Sequence, residues 1–255
     1  MKSQDLMTLL EHIGELRKRL IFVLIVLGIS VIAGFVAADP IYHYLLESGP
    51  AKRLDMNAFA VWDGISIYVK IAFLLGLTIT LPFTFYQIWA FVKPGLREEE
   101  QKATLRYIPG TFVSFLAGLA FAYFVVFPMA FRFTTTVNRN LGLIETYGIN
   151  QYFSFLFNIL IPVSFLFELP IVVMFLTKLR ILNPKRLAKM RRLAYFILIA
   201  LATIITPPDL VSDLLVSFPL LILYEISVFL SSAVYRKQLA ADQAWEARFG
   251  GEIGD

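Results

Sequence analysis

The chain has 255 residues, 58% of them hydrophobic and 16% charged, with 24 Phe, no Cys and a net charge of +4. Soluble domains average about 45–50% apolar and about 25% charged residues, so this composition, with a mean hydropathy of +0.71, places the chain in the membrane class. The missing cysteines exclude disulfide scaffolds, thiol catalysis and cysteine-based metal sites, and the positive charge sits in connections between apolar runs, which points to membrane orientation rather than nucleic acid.

The leader comes first. Leu6, Leu9, Leu10, Ile13, Leu16 and Leu20 recur at three- and four-residue spacing, while Glu11, His12, Glu15 and Lys18 face away. This pattern predicts an amphipathic helix lying in the membrane interface. Leu20–Ala38 follows as an uncharged run. It is close to the ~20 residues that cross a hydrocarbon core and too long for the ~7–15 residues of a signal-peptide core, so it reads as a retained span.

Helices are expected at about 20–38, 65–92, 107–132, 152–177, 193–206 and 212–234. Period-2 alternation is missing and the runs exceed membrane-strand length, so a barrel is excluded. The predicted class is therefore an all-α membrane protein with six transmembrane helices. Residues 1–235 form one integral domain and 236–255 a cytoplasmic tail. Pro82, Pro128, Pro162, Pro170 and Pro219 lie inside the runs and predict kinked helices. Leu193–Ile205 spans only about 20 Å, so helices five and six form a short pair. Pro207 and Pro208 cannot continue the fifth helix, and Asp209 draws the turn toward water on the outer, periplasmic side.

Lysine and arginine fix the expected orientation. With the N-terminus inside, 18 of them fall in inner segments and 4 in outer ones, and positive residues are retained on the cytoplasmic side. Both termini are thus expected in the cytoplasm, as is the 93–106 connection with its acidic run Glu98, Glu99 and Glu100. Lys70, within the second helix, is expected near the outer boundary with its ammonium snorkelling to water.

Two carboxylates interrupt apolar runs. Glu168 and Glu225 each lie about 15–17 Å in from the cytoplasmic helix ends. An ionised group there is costly, so each is expected to be protonated, hydrogen-bonded or facing a wet cavity. No HExxH, GxSxG or Walker-type loop is present. His12 and His43 fall on opposite sides, and Asp209 and Asp213 read as helix caps. No catalytic residue, metal or cofactor is expected. A proton-coupled secondary transporter using Glu168 and Glu225 is the alternative reading, although no internal repeat supports it. An intramembrane hydrolase using Asp209 is a further one.

The leader His12-x-x-Glu15-Leu16-Arg17-x-Arg19-Leu20, "YQIWAFVKPGL" at 86–96 followed by Glu100, "FAYFVVFP" at 121–128, "FELP" at 167–170 and "TPPD" at 206–209 together resemble TatC, the large subunit of the twin-arginine protein translocase. The resemblance runs in order from about residue 9 to 235. It implies six spans with both termini cytoplasmic in the bacterial cell membrane, and transport of folded proteins driven by the proton-motive force. It also implies partners: twin-arginine signal peptides, small single-span subunits of the TatA and TatB type, further copies of the chain, and membrane lipid. The implied signal-peptide site comprises Glu15 and Glu100 with Arg17 and Phe91. Paired carboxylates suit the task, because a guanidinium binds carboxylate bidentately and two adjacent arginines need more than one acceptor.

Overall fold

In the computed structural model, residues 3–95, 101, 104–205 and 210–249 are described. Leader and first span form one unbroken helix, α1 (Ser3–Val36). No proline interrupts the stretch before Pro40, so nothing forces a break between the interfacial turns and the span. At 1.5 Å per residue α1 reaches about 51 Å, beyond the ~30 Å of a hydrocarbon core, and its first turns project past the apolar layer. Leu20, Ile21, Leu24, Ile25, Ile29 and Ile32 are all exposed, as lipid-facing side chains are.

Next come α2 (Ala38–Glu47) and the 30-residue α3 (Asp63–Val92), which carries Pro82. Glycines set the contact between α1 and α3. A Cβ on Gly76 would lie 2.6 Å from Val31 Cγ2, and one on Gly34 would lie 2.7 Å from the Ala72 carbonyl oxygen. Asp63, itself buried, accepts hydrogen bonds from the backbone N–H groups of Phe59 and Ala60 at 2.8 and 3.0 Å, fixing the entry to α3.

The third apolar run is α4 (Ile108–Phe121) and α5 (Phe127–Asn140), joined by a π-helical turn at Ala122–Val126. Pro128 follows immediately and has no N–H to donate. The expected kink is therefore absorbed as a π-bulge, in which the Phe127 N–H bonds back to the Ala122 oxygen. The fourth run is split into α6 (Ile149–Leu166) and α7 (Leu169–Lys178). Short α8 (Pro184–Lys189), the 15-residue α9 (Arg191–Ile205) and the 40-residue α10 (Leu210–Phe249) complete the chain. Helix α10 runs on past Val234, the expected limit of the last span, and with a 25-residue apolar stretch it is not the short sixth helix expected, since no helix breaker follows Pro219 before Phe249.

Among the described residues, five stretches are long and apolar enough to cross a membrane: Ile13–Val36, Asp63–Val92, Ile108–Asn140, Ile149–Lys178 and Val216–Ala240. Helix α9 reaches only about 22 Å, the short fifth helix anticipated from the sequence. The core lies around α6, where Phe153, Leu156 and Ile159 are fully enclosed together with Ile67, Ile71, Phe127 and Leu220. At the end of the bundle opposite the N-terminus, Met56 and Asn57 (β1) pair in parallel with Tyr147 and Gly148 (β2), tying the α2–α3 and α5–α6 connections together. Lys70 does not reach out to solvent as expected. Its ammonium donates to Asn150 Oδ1 at 2.7 Å and Ser154 Oγ at 2.6 Å, because α6 presents two acceptors within its reach.

Candidate functional site

Glu15 stands on α1 at the rim of a groove of about 600 Å³ between α1 and the end of α3. Arg19, one turn on, donates to Glu15 Oε1 from Nη2 at 2.6 Å and from Nε at 3.1 Å. The same guanidinium reaches across to α3, donating to Gln87 Oε1 at 3.1 Å and to the Ala90 carbonyl at 3.2 Å. Arg19 thus holds the carboxylate in a fixed position relative to α3. Glu15 Oε2 accepts no hydrogen bond among the described residues. Trp89 and Phe22 line the groove, and Lys18 and Lys93 add charge at its edge, with the Lys93 ammonium 5.3 Å above the Trp89 ring.

The 93–107 connection is fastened to this groove. Trp89 Nε1 donates to the Gln101 carbonyl at 3.2 Å, and Gln101 Nε2 donates to the Lys93 carbonyl at 3.2 Å. Gln101 is the residue after Glu100 in the sequence. Glu100 itself lies outside the described residues, as do Pro207, Pro208 and Asp209 of the expected periplasmic turn. Arg17 is exposed and Phe91 half-buried, and neither lines the groove. Sequence reasoning singled out Glu15 but not Arg19, Gln87 and Trp89 as its companions. The four-residue spacing of Glu15 and Arg19 was a usable signal, whereas Gln87 is 68 positions away and nothing in the sequence pairs them.

Glu168 occupies a different environment. Pro170 removes the N–H that would bond the Leu166 carbonyl. The chain answers with a tight turn in which the Glu168 N–H bonds the Phe165 oxygen at 3.1 Å before α7 resumes. Ser114 Oγ on α4 donates to the Phe167 carbonyl at 2.6 Å, the usual repair of a broken helix at membrane depth. The Glu168 side chain is left 3% exposed, and neither carboxylate oxygen makes a hydrogen bond of normal geometry. Among the described residues, the Phe115 backbone is the polar group that interacts with it. On the facing helix, a Cβ on Gly118 would lie 2.8 Å from Ser164 Cα and 2.9 Å from Phe167 Cβ, so α4 packs directly on this break.

Glu225, by contrast, is well served. Its Oε2 accepts from Arg191 Nη2 at 2.9 Å and its Oε1 accepts a short bond from the Tyr195 hydroxyl. With Glu225 bonded to α9 and Glu168 without a side-chain partner among the described residues, the two acids share no hydrogen bond, and a relay between them gains no support from the geometry.

This arrangement has known counterparts. The family model described as Sec-independent protein translocase protein (TatC) matches residues 11–219. The chain belongs to the TatC family. It is 48% identical over 231 residues to the Sec-independent protein translocase protein TatCy of Bacillus subtilis, covering 91% of each. It is 44% identical over 254 residues to TatC of Halalkalibacterium halodurans, covering both chains completely. Its fold matches a crystal structure of the twin arginine translocase receptor TatC with a TM-score of 0.73 and 31% identity, over 88% of this chain and 99% of that one. A second such structure, in DDM, matches with a TM-score of 0.76. As a TatC-family protein, the chain is a multi-pass membrane component of the Sec-independent protein translocase.

Proposed function

We propose that this chain binds twin-arginine signal peptides of folded precursor proteins in the groove beside Glu15, as the receptor subunit of a complex driven by the proton-motive force. The observation that carries the reading is the state of Glu15. Arg19 occupies one carboxylate oxygen and anchors the group to α3, leaving Oε2 for an incoming guanidinium. Trp89 and Phe22 offer apolar surface for the residues that follow an arginine pair, and the fastening of Gln101 to Trp89 suits Glu100 as the second acceptor.

On this reading the groove end of the bundle is cytoplasmic, in agreement with the 18-to-4 distribution of Lys and Arg. Helix α9 completes a set of six spans that returns both termini to the cytoplasm of a bacterial cell. Residues 1–235 act as one integral domain and 236–255 as its cytoplasmic extension. Single-span subunits of the TatA and TatB type and further copies of the chain are the expected protein partners. Glu168 is the intramembrane polar contact for a partner or an inserted signal peptide, since neither carboxylate oxygen makes a hydrogen bond of normal geometry among the described residues. The reading needs no catalytic residue, metal or cofactor.

The test is equilibrium binding of a labelled Arg-Arg signal peptide and its Lys-Lys counterpart to the full-length protein in nanodiscs. A guanidinium carries a planar fork of N–H donors that can reach Glu15 Oε2 and a second acceptor at once, where an ammonium is a compact point charge, so the Arg-Arg peptide should bind at least about tenfold more tightly, equivalent to about 1.4 kcal/mol. Equal binding of the two peptides would sink the proposal.

A further inference from the structure

A second cavity, of about 460 Å³, opens at the same end of the bundle between the start of α4, the end of α7 and α10. Among the described residues it shares none of its lining with the Glu15 groove. Arg106, Lys178 and Lys237 surround it, and its wall is apolar, built from Met174, Leu230 and Val234. Among the described residues, no acidic residue lines it and none of the three cations forms an ion pair.

That omission is local. Two residues along from Lys178, Arg180 is paired with Asp242 at 2.7 Å, so among the described residues α10 gives an acid to the neighbouring cation and none to this cavity. The cavity is also held in shape. Gln238 Nε2 donates to the Lys178 carbonyl at 2.8 Å, and buried Thr177 and Ser231 hydroxyls bond at 2.7 Å. These contacts keep Lys178 and Lys237 on adjoining faces of α7 and α10. Tyr107, an amphipathic ring of the kind that settles at headgroup depth, completes the α4 side.

We propose that this cavity binds an anionic glycerophospholipid, with the phosphodiester between Arg106, Lys178 and Lys237 and the start of an acyl chain along Met174, Leu230 and Val234. Basic pockets between transmembrane helices take anionic headgroups in this way, and the guanidinium of Arg106 suits a phosphate's paired oxygens. The volume falls within the ~300–1,000 Å³ of small-ligand sites, enough for a phosphoglycerol headgroup and the first methylenes, with the rest of the lipid remaining in the bilayer. A lipid held here would bridge α4, α7 and α10, stiffening the end of the 93–107 connection without touching the Glu15 groove.

The experiment is native mass spectrometry of the full-length protein in detergent, titrated with phosphatidylglycerol or with phosphatidylcholine of the same acyl chains. Phosphatidylglycerol is expected to bind the wild type more tightly than phosphatidylcholine. Its affinity should fall at least about tenfold in R106Q/K178Q/K237Q and stay unchanged in K185Q/R186Q/K189Q, which removes equal charge from α8. Should the first triple variant fail to fold, K237Q alone, at an exposed position, should weaken phosphatidylglycerol several-fold. Equal affinity for the two lipids, equal losses in the two triple variants, or no loss in K237Q would overturn the proposal. Displacement of the lipid by an equal concentration of inorganic phosphate would reassign the cavity to a free anion and overturn it likewise.

Discussion

Two carboxylates, Glu15 and Glu168, sit in regions of opposite character. At the Glu15 groove the acid is partly exposed and tied by Arg19 to both helices that form the wall. At the α6–α7 break the acid is enclosed with no hydrogen bond of normal geometry among the described residues, while Ser114 serves the Phe167 carbonyl and the tight turn takes the Glu168 N–H. An exposed, satisfied acid adds little to folding, because solvent screens it. A buried, unsatisfied one works against folding, since its desolvation is not offset. The fold would be better off without Glu168 and nearly indifferent to Glu15, and that contrast marks what each is retained for.

Replacing Glu168 should give the largest effect. Glu168→Leu removes a buried polar group and keeps its bulk, so the thermal midpoint should hold or rise, while export of a folded precursor falls by an order of magnitude or more. Glu168→Gln, whose amide can hydrogen-bond as a protonated acid does, should retain most export. A Leu variant that exports normally would reduce Glu168 to an incidental residue and dissolve the contrast.

At the groove, the expected effects are on binding and not on stability. Glu100→Ala and Glu15→Ala should each weaken an Arg-Arg signal peptide on the order of tenfold, given roughly 1.5–3 kcal/mol for a hydrogen bond to a charged group. Glu100→Lys should be worse. Equal losses at Glu98, Glu99 and Glu100 would mean a diffuse acidic patch instead of a site. Arg19→Gln tests whether the internal guanidinium positions Glu15. Several-fold weaker peptide binding with unchanged thermal stability is expected, and tighter binding would show that Arg19 competes with the peptide.

Packing at the break should be less forgiving than packing at the groove. Gly118→Ala puts a methyl carbon within 2.8 Å of Ser164 Cα, backbone that cannot swing aside, and should cost about 1–3 kcal/mol of stability. Gly14, near Glu15 on α1, has open space around its Cα, so Gly14→Ala should be neutral or slightly stabilising. A denaturation series on both variants checks the pair, and equal midpoints would remove the distinction. The smallest effect belongs to Glu225. Its pair with Arg191, both side chains 40–45% exposed, should show a coupling of about 0.2–1 kcal/mol in a double-mutant cycle.

Much of this molecule is written in its one-dimensional pattern. Uninterrupted apolar length decides which segments become helices, because a backbone in lipid must satisfy its own hydrogen bonds and a helix does so within a single segment. The same local logic made the short α9 legible from Arg191, Arg192 and the residues after Ile205, and made Pro128 and Pro170 readable as sites of distortion. It did not tell a π-bulge at Pro128 from a full break at Pro170. That depended on whether a neighbouring helix could supply a donor such as Ser114 Oγ to the stranded carbonyl. The partners of the charged groups were equally out of reach. Lys70 finds Asn150 and Ser154 at separations of 80 and 84 residues, Arg19 finds Gln87, and Arg106, Lys178 and Lys237 converge from the turn before α4, from α7 and from α10. Helix formation is settled by contacts three and four residues apart, which the sequence displays, whereas the environment of a side chain is settled by which helix faces it, which only the packed bundle decides.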